Sequence, residues 1–370
     1  MTAPERMAPM SDSDPVTFEE LACASGARIG VITLNRPRQL NALNLAMCER
    51  MLAMLRTWAS DTGLAMVVLQ GAGERGFCAG GDVAEVVRHV RAGGERRFVY
   101  GDAFFEVEYQ LDLLLHTFPK PILAWVHGVC MGGGVGLIAG CSHRVISENA
   151  RVAMPEIHIG LFPDVGGGWF LNRVPGGIGR VMALTGLTLN EADTLFAGLA
   201  DFFIAGEARE AVLAEILAHP WRGEPVADGQ RLTELLLGWH RRHRAGLPLN
   251  HLQQYFDALR FIAMQPTLVG VRDALAAAAE DDPWFAVPAR SLAEGSPTAA
   301  WVSDEYLRRS RQRSLPEVLA LDLVLARQFQ RHPDFPEGVR ALLIDKDRKP
   351  RWALADLGAV PSDVVAAHFR

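Results

Sequence analysis

Two acidic residues stand out for what surrounds them. Glu156 and Asp164 lie in MPEIHIGLFPDVGGGWF (residues 154–170), and no Lys or Arg occurs between Val152 and Asn172. A carboxylate folded into apolar, glycine-punctuated chain with no local cation is costly, so it either caps a helix or does chemistry. Asp164, followed by Val165-Gly166-Gly167-Gly168, could be an N-cap; Glu156 has no such alternative. The chemistry open to it is proton transfer or direct attack on an electrophilic carbon.

Two glycine turns could supply the complementary half. GFCAGGDV (76–83) puts Gly80 and Gly81 before Asp82, an acid that can start a helix, and so leaves a backbone N–H free at a helix N-terminus. Met131-Gly132-Gly133-Gly134-Val135-Gly136 offers a second bare backbone where a strand passes into a helix. One donor from each turn would form an oxyanion hole. Either cluster could instead merely permit tight packing.

Other residues carry less. Gly71-Ala72-Gly73-Glu74-Arg75-Gly76 fits a dinucleotide-binding G-x-G-x-x-G, but Phe77-Cys78-Ala79 follows where a helix should open, so a surface turn is the better account. Cys78 and Cys130 have the apolar neighbours of inert core thiols, and His127, three residues from Cys130, lacks an orienting motif. His158 could be a pocket wall or a neighbour that tunes Glu156; His240 and His243 suit a solvated helix better than a metal.

These residues need elements to hold them. Residues 27–35, ARIGVITLN, form an expected strand, and Asn41 or Asn44 can cap a helix running to about Trp58. Ala65–Gln70, Pro121–Trp125, His143–Ser147 and Arg151–Met154 are further strands, giving an α/β core with mostly buried strands. Residues 121–140 contain no charged side chain and reach membrane-spanning length, yet Pro121, His127 and six glycines favour a buried strand, a turn and a buried helix. After about residue 205 the periodicity becomes helical, over 208–218, 229–240, 252–263, 267–279 and 315–330. The expected organisation is a tail over 1–15, a catalytic core over 16–205 and a helical region over 206–370 that covers or flanks the site.

Composition sets the class. The 370 residues are 49% apolar by type, and 37 basic against 43 acidic side chains leave a net charge of −6. Such a chain folds into a sizeable core and gives no electrostatic reason to expect nucleic acid. Five cysteines without paired spacing argue against a disulfide framework or zinc, and MTAPERMAPMSDSDP has no apolar run of signal-peptide length. The expectation is a cytoplasmic protein.

Together these segments resemble the crotonase (enoyl-CoA hydratase/isomerase) superfamily, with LNRPRQLNAL (34–43) as its N-terminal signature and matching order over about 28–205. The nearer likeness is to the 3-hydroxyisobutyryl-CoA hydrolase branch, through GFCAGGDV, KPILAWVHGVCMGGGVGL, MPEIHIGLFPDVGGGWFL and HPDFPEGVRALLIDKDRKPRW (332–352). The resemblance implies an α/β, crotonase-like (ββα) superhelix, an acyl-CoA substrate whose CoA is part of the substrate, and no metal or redox cofactor. It implies that the Gly81 and Gly133 N–H groups hold the thioester carbonyl, that Glu156 is the catalytic carboxylate, that Asp164 orients Glu156 or binds the 3-hydroxyl, and that Glu108, in FFEVEYQL, faces the acyl pocket. Taken alone, Glu108 could equally be a solvated helix carboxylate beside Glu106. Hydratases of the superfamily use two glutamates, one where this chain has Gly136; the carboxylate here stands at Asp164 instead, which favours thioester hydrolysis, with a hydratase or isomerase as the alternative. Arg36 and Arg38, or Arg88, His89, Arg91, Arg96 and Arg97, could meet the CoA phosphates. Superfamily members often form trimers or hexamers, so a homo-oligomer is a further option, unless the longer C-terminus covers that surface.

Overall fold

A computed structural model describes residues 14–370, so the expected tail lies outside the described residues except for Asp14 and Pro15. The strands are β1 (Val16–Ala22), β2 (Arg28–Leu34), β3 (Leu64–Gly71), β4 (Gly76–Cys78), β5 (Ile122–Val126), β6 (Val129–Met131), β7 (His143–Ile146), β8 (Arg151–Ala153) and β9 (Phe202–Phe203). They form a six-stranded sheet in the order β1-β2-β3-β5-β7-β9 and a three-stranded sheet in the order β4-β6-β8. Only β1 runs antiparallel to its neighbour; the register elsewhere, such as Val67 opposite Ile122 and Leu123 opposite His143, is parallel. Three successive passages, β3–β4, β5–β6 and β7–β8, each lay one strand in the large sheet and the next in the small one, the ββα repeat expected of the crotonase fold.

The large sheet is covered on both faces, which is why its strands read as unbroken Val, Ile and Leu runs. One face carries Ile32, Leu34, Val67 and Leu69 into a core shared with helices α1 (Leu45–Ser60) and α3 (Val99–His116). The other puts Ile29, Val31, Met66, Val68 and Trp125 against Val212 and Ile216 of helix α5 (Arg209–Ala218) and Leu232 and Leu236 of helix α6 (Pro225–His243). The shorter helices α2 (Val83–Ala92) and α4 (Gly133–Ala139) follow the two glycine turns, and the apolar stretch 121–140 resolves into β5, β6 and α4. No helix among the described residues is long and apolar enough to cross a membrane.

Beyond β9 the described chain is helical. Helices that reach the segment from Glu156 to the Gly166–Gly168 run include α7 (Pro297–Ser310), α8 (Leu315–Arg331) and α9 (Asp334–Val339). Their apolar faces, including Tyr306, Leu319, Phe329 and Phe335, share the main core with Phe162 and Ile157. Sequence periodicity finds α8 but not α7 or β1. The buried face of α7 includes Thr298, Ser303 and Ser310, and β1 carries Glu19 and Glu20 in succession, so the apolar pattern is broken in both.

Candidate active site

The motif at 34–43 holds the first glycine turn. Asn41 adopts a left-handed backbone (φ +58°) and its amide donates to the carbonyls of Ala72 and Gly76 at 3.0 and 2.9 Å. The Leu43 N–H donates to the Gly80 carbonyl at 2.8 Å, and the Asp82 N–H returns a bond to Leu43 at 2.6 Å. Asp82 caps α2 and takes a 3.0 Å bond from the Arg36 guanidinium. Arg36 therefore anchors this turn rather than standing free for a phosphate. Of the two expected caps, Asn44 is the one that caps α1.

The second turn meets the first face to face. Gly132 (φ +51°) takes its place at the end of β6 with its N–H on the Ala153 carbonyl at 3.2 Å. A Cβ added to Gly133 would lie 3.3 Å from the Gly81 nitrogen, and one on Gly80 would lie 3.3 Å from the Gly133 nitrogen. Neither the Gly81 nor the Gly133 N–H donates to another backbone group among the described residues. Two free donors thus converge on one small space, and the glycines leave that space open; this is more than packing demands.

Carboxyls line the same space. A Cβ on Gly132 would stand 2.9 Å from Oε1 of Glu156, and a Cβ on Gly133 would fall inside van der Waals contact of Oε1 of Glu108. Glu108 is 2% exposed, so the solvated-helix reading fails for it; Glu106, two residues earlier, is the exposed one and pairs with Arg327. Glu156 belongs to a 3-10 turn, Glu156–Ile159, that ends at the left-handed Gly160. Asp164 does not cap a helix with its side chain: its Oδ2 accepts a 2.7 Å bond from the Tyr109 hydroxyl on α3. The structure thus brings Gly81, Gly133, Glu108 and Glu156 around one space, with Asp164 behind them on Tyr109.

Three further groups belong to this cluster. Asp112, one turn beyond Glu108 on α3, is 4% exposed and neither of its oxygens has a protein partner. Asp322 of α8 is wholly buried and takes the Gly166 N–H at 2.8 Å; Tyr306 of α7 takes the Gly168 N–H at 2.8 Å. Sequence reasoning missed these. Asp112, four residues after Glu108 inside an apolar helix pattern, and Asp322, alone in LALDLVLA, carry a signal of the same kind as Glu156; Tyr306 carries none.

Among the described residues no lysine or arginine offsets the five carboxyls. Burial, and after it the charges of neighbouring acids, pushes Glu108, Glu156 and Asp112 well above the ordinary carboxylate range. Burial does the same to Asp322, against the pull of Tyr306 and the Gly166 N–H. Burial lifts Asp164 to about 6, with the Tyr109 bond working in the opposite direction. Of these acids Asp164, at about 6, lies closest to the range in which a general base works. Oε1 of Glu108 and Oε2 of Glu156 are buried without a protein partner, so each has hydrogen-bonding capacity to offer a bound molecule.

The remaining candidates fall away from this space. Cys78 and Cys130 are buried free thiols, with burial pushing Cys78 up to about 12 and Cys130 also well up, so neither is a ready nucleophile. His127 bonds the Gly73 carbonyl at 2.9 Å, and His240 accepts the Phe203 N–H. His158 lines a separate cavity of about 530 Å³ with Glu294 and Trp352. Arg88, His89, Arg91, Arg96 and Arg97 are exposed at and after the end of α2. Among the described residues no three His, Cys, Asp or Glu side chains are grouped to hold a metal ion.

Position 136 is where the resemblance places the second glutamate of a hydratase. A Cβ on Gly136 would stand 2.6 Å from Cβ of Val165 and 3.2 Å from Oδ1 of Asp112. The space a glutamate would need there is filled by the residue that follows Asp164.

Comparison with known proteins bears on the family and the fold. A family model described as enoyl-CoA hydratase/isomerase matches residues 29–369. The chain is 34% identical over 368 residues to "3-hydroxyisobutyryl-CoA hydrolase, mitochondrial" of Homo sapiens, covering 99% of this chain and 91% of the relative. It is 35% identical to the protein of that name from Xenopus tropicalis, covering 92% and 86%. Among solved structures, an enoyl-CoA hydratase from Rhodobacter sphaeroides 2.4.1 superposes with a TM-score of 0.82 at 34% identity, covering 96% of this chain and 97% of that one. A carnitinyl-CoA dehydratase from Mycobacterium thermoresistibile gives 0.83 at 31%, covering 95% and 96%. The fold, the two glycine turns and these full-length likenesses lead to one conclusion: the chain belongs to the enoyl-CoA hydratase/isomerase family.

Proposed function

We propose that this protein is an acyl-CoA thioester hydrolase whose substrate is 3-hydroxyisobutyryl-CoA, an intermediate of valine breakdown, and whose products are 3-hydroxyisobutyrate and free CoA. The observation that carries the reading is the packing at Gly136. Water addition across a double bond by two glutamates needs a side chain there, and Val165 leaves no room for one. Glu156 beside two unpaired backbone donors suffices for acyl transfer, and the names of the full-length relatives support the same activity.

In this reading the thioester oxygen sits between the Gly81 and Gly133 N–H groups. Glu156 takes a proton from water as the water oxygen bonds to the carbonyl carbon; the negative charge collects on the oxygen held by the glycines. Collapse of that intermediate breaks the C–S bond, and the proton on Glu156 passes to the departing thiolate. Direct attack by Glu156 gives the same products through an anhydride that water then opens. Each backbone donor contributes about 3 kcal/mol toward the developing oxyanion. Asp164 orients Glu156 or accepts the substrate's 3-hydroxyl, and Glu108 faces the acyl group. The chemistry needs no cofactor beyond the CoA of the substrate. Five free, buried cysteines support a reducing compartment such as the cytoplasm, although the curated relatives carry a mitochondrial name.

The test is free-thiol release by the wild-type protein from 3-hydroxyisobutyryl-CoA, 3-hydroxypropionyl-CoA, isobutyryl-CoA and crotonyl-CoA. Release from 3-hydroxyisobutyryl-CoA roughly 10²-fold or more above isobutyryl-CoA is expected, because a site built to bond a hydroxyl leaves buried polar groups unpaired without it. Hydration or double-bond movement in the enoyl-CoA, without thiol release, would replace this reading by the hydratase or isomerase activity that the family's description names.

A further inference from the structure

The turn carrying Asp164 is held in an unfavourable backbone shape. Val165 has φ +51°, in the left-handed region that β-branched residues avoid, and Gly166 follows at φ +80°. Two adjacent left-handed residues do not persist by their own preference, so something outside the turn must hold them. Local bonds run from the Gly167 N–H to the Asp164 carbonyl at 2.7 Å and from the Trp169 and Phe170 N–H groups to the Gly166 carbonyl at 2.8 and 3.2 Å, and none of them engages the Gly166 or Gly168 N–H.

The rest comes from the C-terminal helices. The Gly166 N–H donates to Oδ2 of Asp322 on α8, 156 residues later in the chain. The Gly168 N–H donates to the Tyr306 hydroxyl on α7, 138 residues later. Both acceptors are fully buried. The glycines themselves mark the closeness of the approach: a Cβ on Gly166 would stand 2.9 Å from Leu315, and one on Gly168 would stand 2.6 Å from the Tyr306 ring. A carboxyl with no exposure and no cation is an expensive way to fill a core, since an apolar side chain of the same size would pack there without that cost. What Asp322 supplies and a leucine would not is an acceptor for the Gly166 N–H.

We propose that Asp322 and Tyr306 are positioning residues that clamp the Val165–Gly168 turn from the C-terminal helices, and so keep Asp164 facing Tyr109 and the Glu156 side of the site. The helical region thereby acts on the reaction through the backbone of the turn. The proposal rests on the catalytic reading of Asp164 given above.

The clamp can be tested on the full-length protein with Asp322→Ala, Asp322→Asn and Tyr306→Phe. Amide hydrogen exchange over residues 164–170 reads the turn itself, and kcat and KM for thiol release read its effect. Loss of either acceptor should speed exchange in this segment by about tenfold or more while α1 and α3 stay protected. For Asp322→Ala, kcat should fall roughly 10- to 100-fold with KM changed little, the size expected when a catalytic group is displaced by about 1 Å. Asp322→Asn keeps an acceptor oxygen and should stay within about threefold of wild type in kcat. In an Asp164→Asn background, Asp322→Ala should cost less than about threefold, because residues acting as one unit are non-additive. Should Asp322→Ala not fold, Tyr306→Phe carries the exchange test. Unchanged exchange at 164–170 overturns the clamp, as does a kcat loss that Asn does not restore or that adds fully to Asp164→Asn. If Asp164→Asn alone is as active as wild type, the role given to Asp164 is what fails, and the exchange result alone decides the clamp.

Discussion

Asp164→Asn should make the protein more stable while making it less active, and the pH at which it does so follows from the structure. Burial lifts the Asp164 carboxyl from its ordinary 3.8 to about 6. The folded chain therefore keeps this proton at pH values where the unfolded chain has lost it. Stability associated with the group is fully present below about pH 4, declines as pH rises between the two values, and is gone above about 6. At ~1.4 kcal/mol for each factor of ten, ionised Asp164 costs the folded state about 3 kcal/mol at pH 8. The amide avoids that cost but gives up the charged half of the Tyr109 bond, worth about 1 kcal/mol. The net gain is about 2 kcal/mol, or roughly 2–4 °C in melting temperature for a chain of this size. Removing the Asp164 charge also relieves Glu108, Asp112 and Glu156, each of which it pushes up, so neighbour effects have the same sign. Thermal melts of wild type and variant from pH 4 to pH 8 measure this. The gap should open with rising pH and close near pH 4. A variant no more stable than wild type at pH 8, or a gap that widens as pH falls, would show that burial does not govern this carboxyl.

Other consequences can be checked alongside. Tyr109→Phe removes the bond that holds the Asp164 value down, so the acid limb of the pH–rate profile should move to higher pH; movement to lower pH contradicts the assignment. Gly133→Ala puts a methyl against Oε1 of the buried Glu108 and 3.3 Å from the Gly81 nitrogen, so thiol release should fall about 10²- to 10³-fold and the melting temperature should drop as well; release within a few-fold of wild type contradicts the assignment. Gly136→Glu should lower the melting temperature through the clash with Val165 and should confer no hydratase activity on crotonyl-CoA; a gain of hydration there would undo the argument from position 136.

Much of this was legible in the sequence because its causes are local. Strands buried on both faces must be apolar throughout, so β2, β3 and β5 read directly from Val, Ile and Leu runs. Backbone that approaches backbone must lose its side chains, so GFCAGGDV and MGGGVG mark both turns. Glu156 declares itself as an acid with no local partner. What was not legible depends on pairs far apart in the chain. Tyr109 meets Asp164 across 55 residues, and Gly166 meets Asp322 across 156. The glycine run at 166–168 signals only that something comes close; which helix does so is a property of the packed chain. Asp112 and Asp322 could have been noticed as lone acids on apolar helical faces, by the same reasoning that found Glu156. Helix α7 escaped because serine and threonine occupy part of its buried face.

The most direct test of the central claim is single-turnover thiol release from 3-hydroxyisobutyryl-CoA by wild type and Glu156→Gln, with binding of the substrate measured in parallel. Glu156 touching the thioester carbon, through water or directly, predicts that the variant binds the substrate about as well as wild type yet releases thiol roughly 10³-fold more slowly or worse. Thiol release by Glu156→Gln within a few-fold of wild type, at equal binding, would contradict the account and place the chemistry on another group.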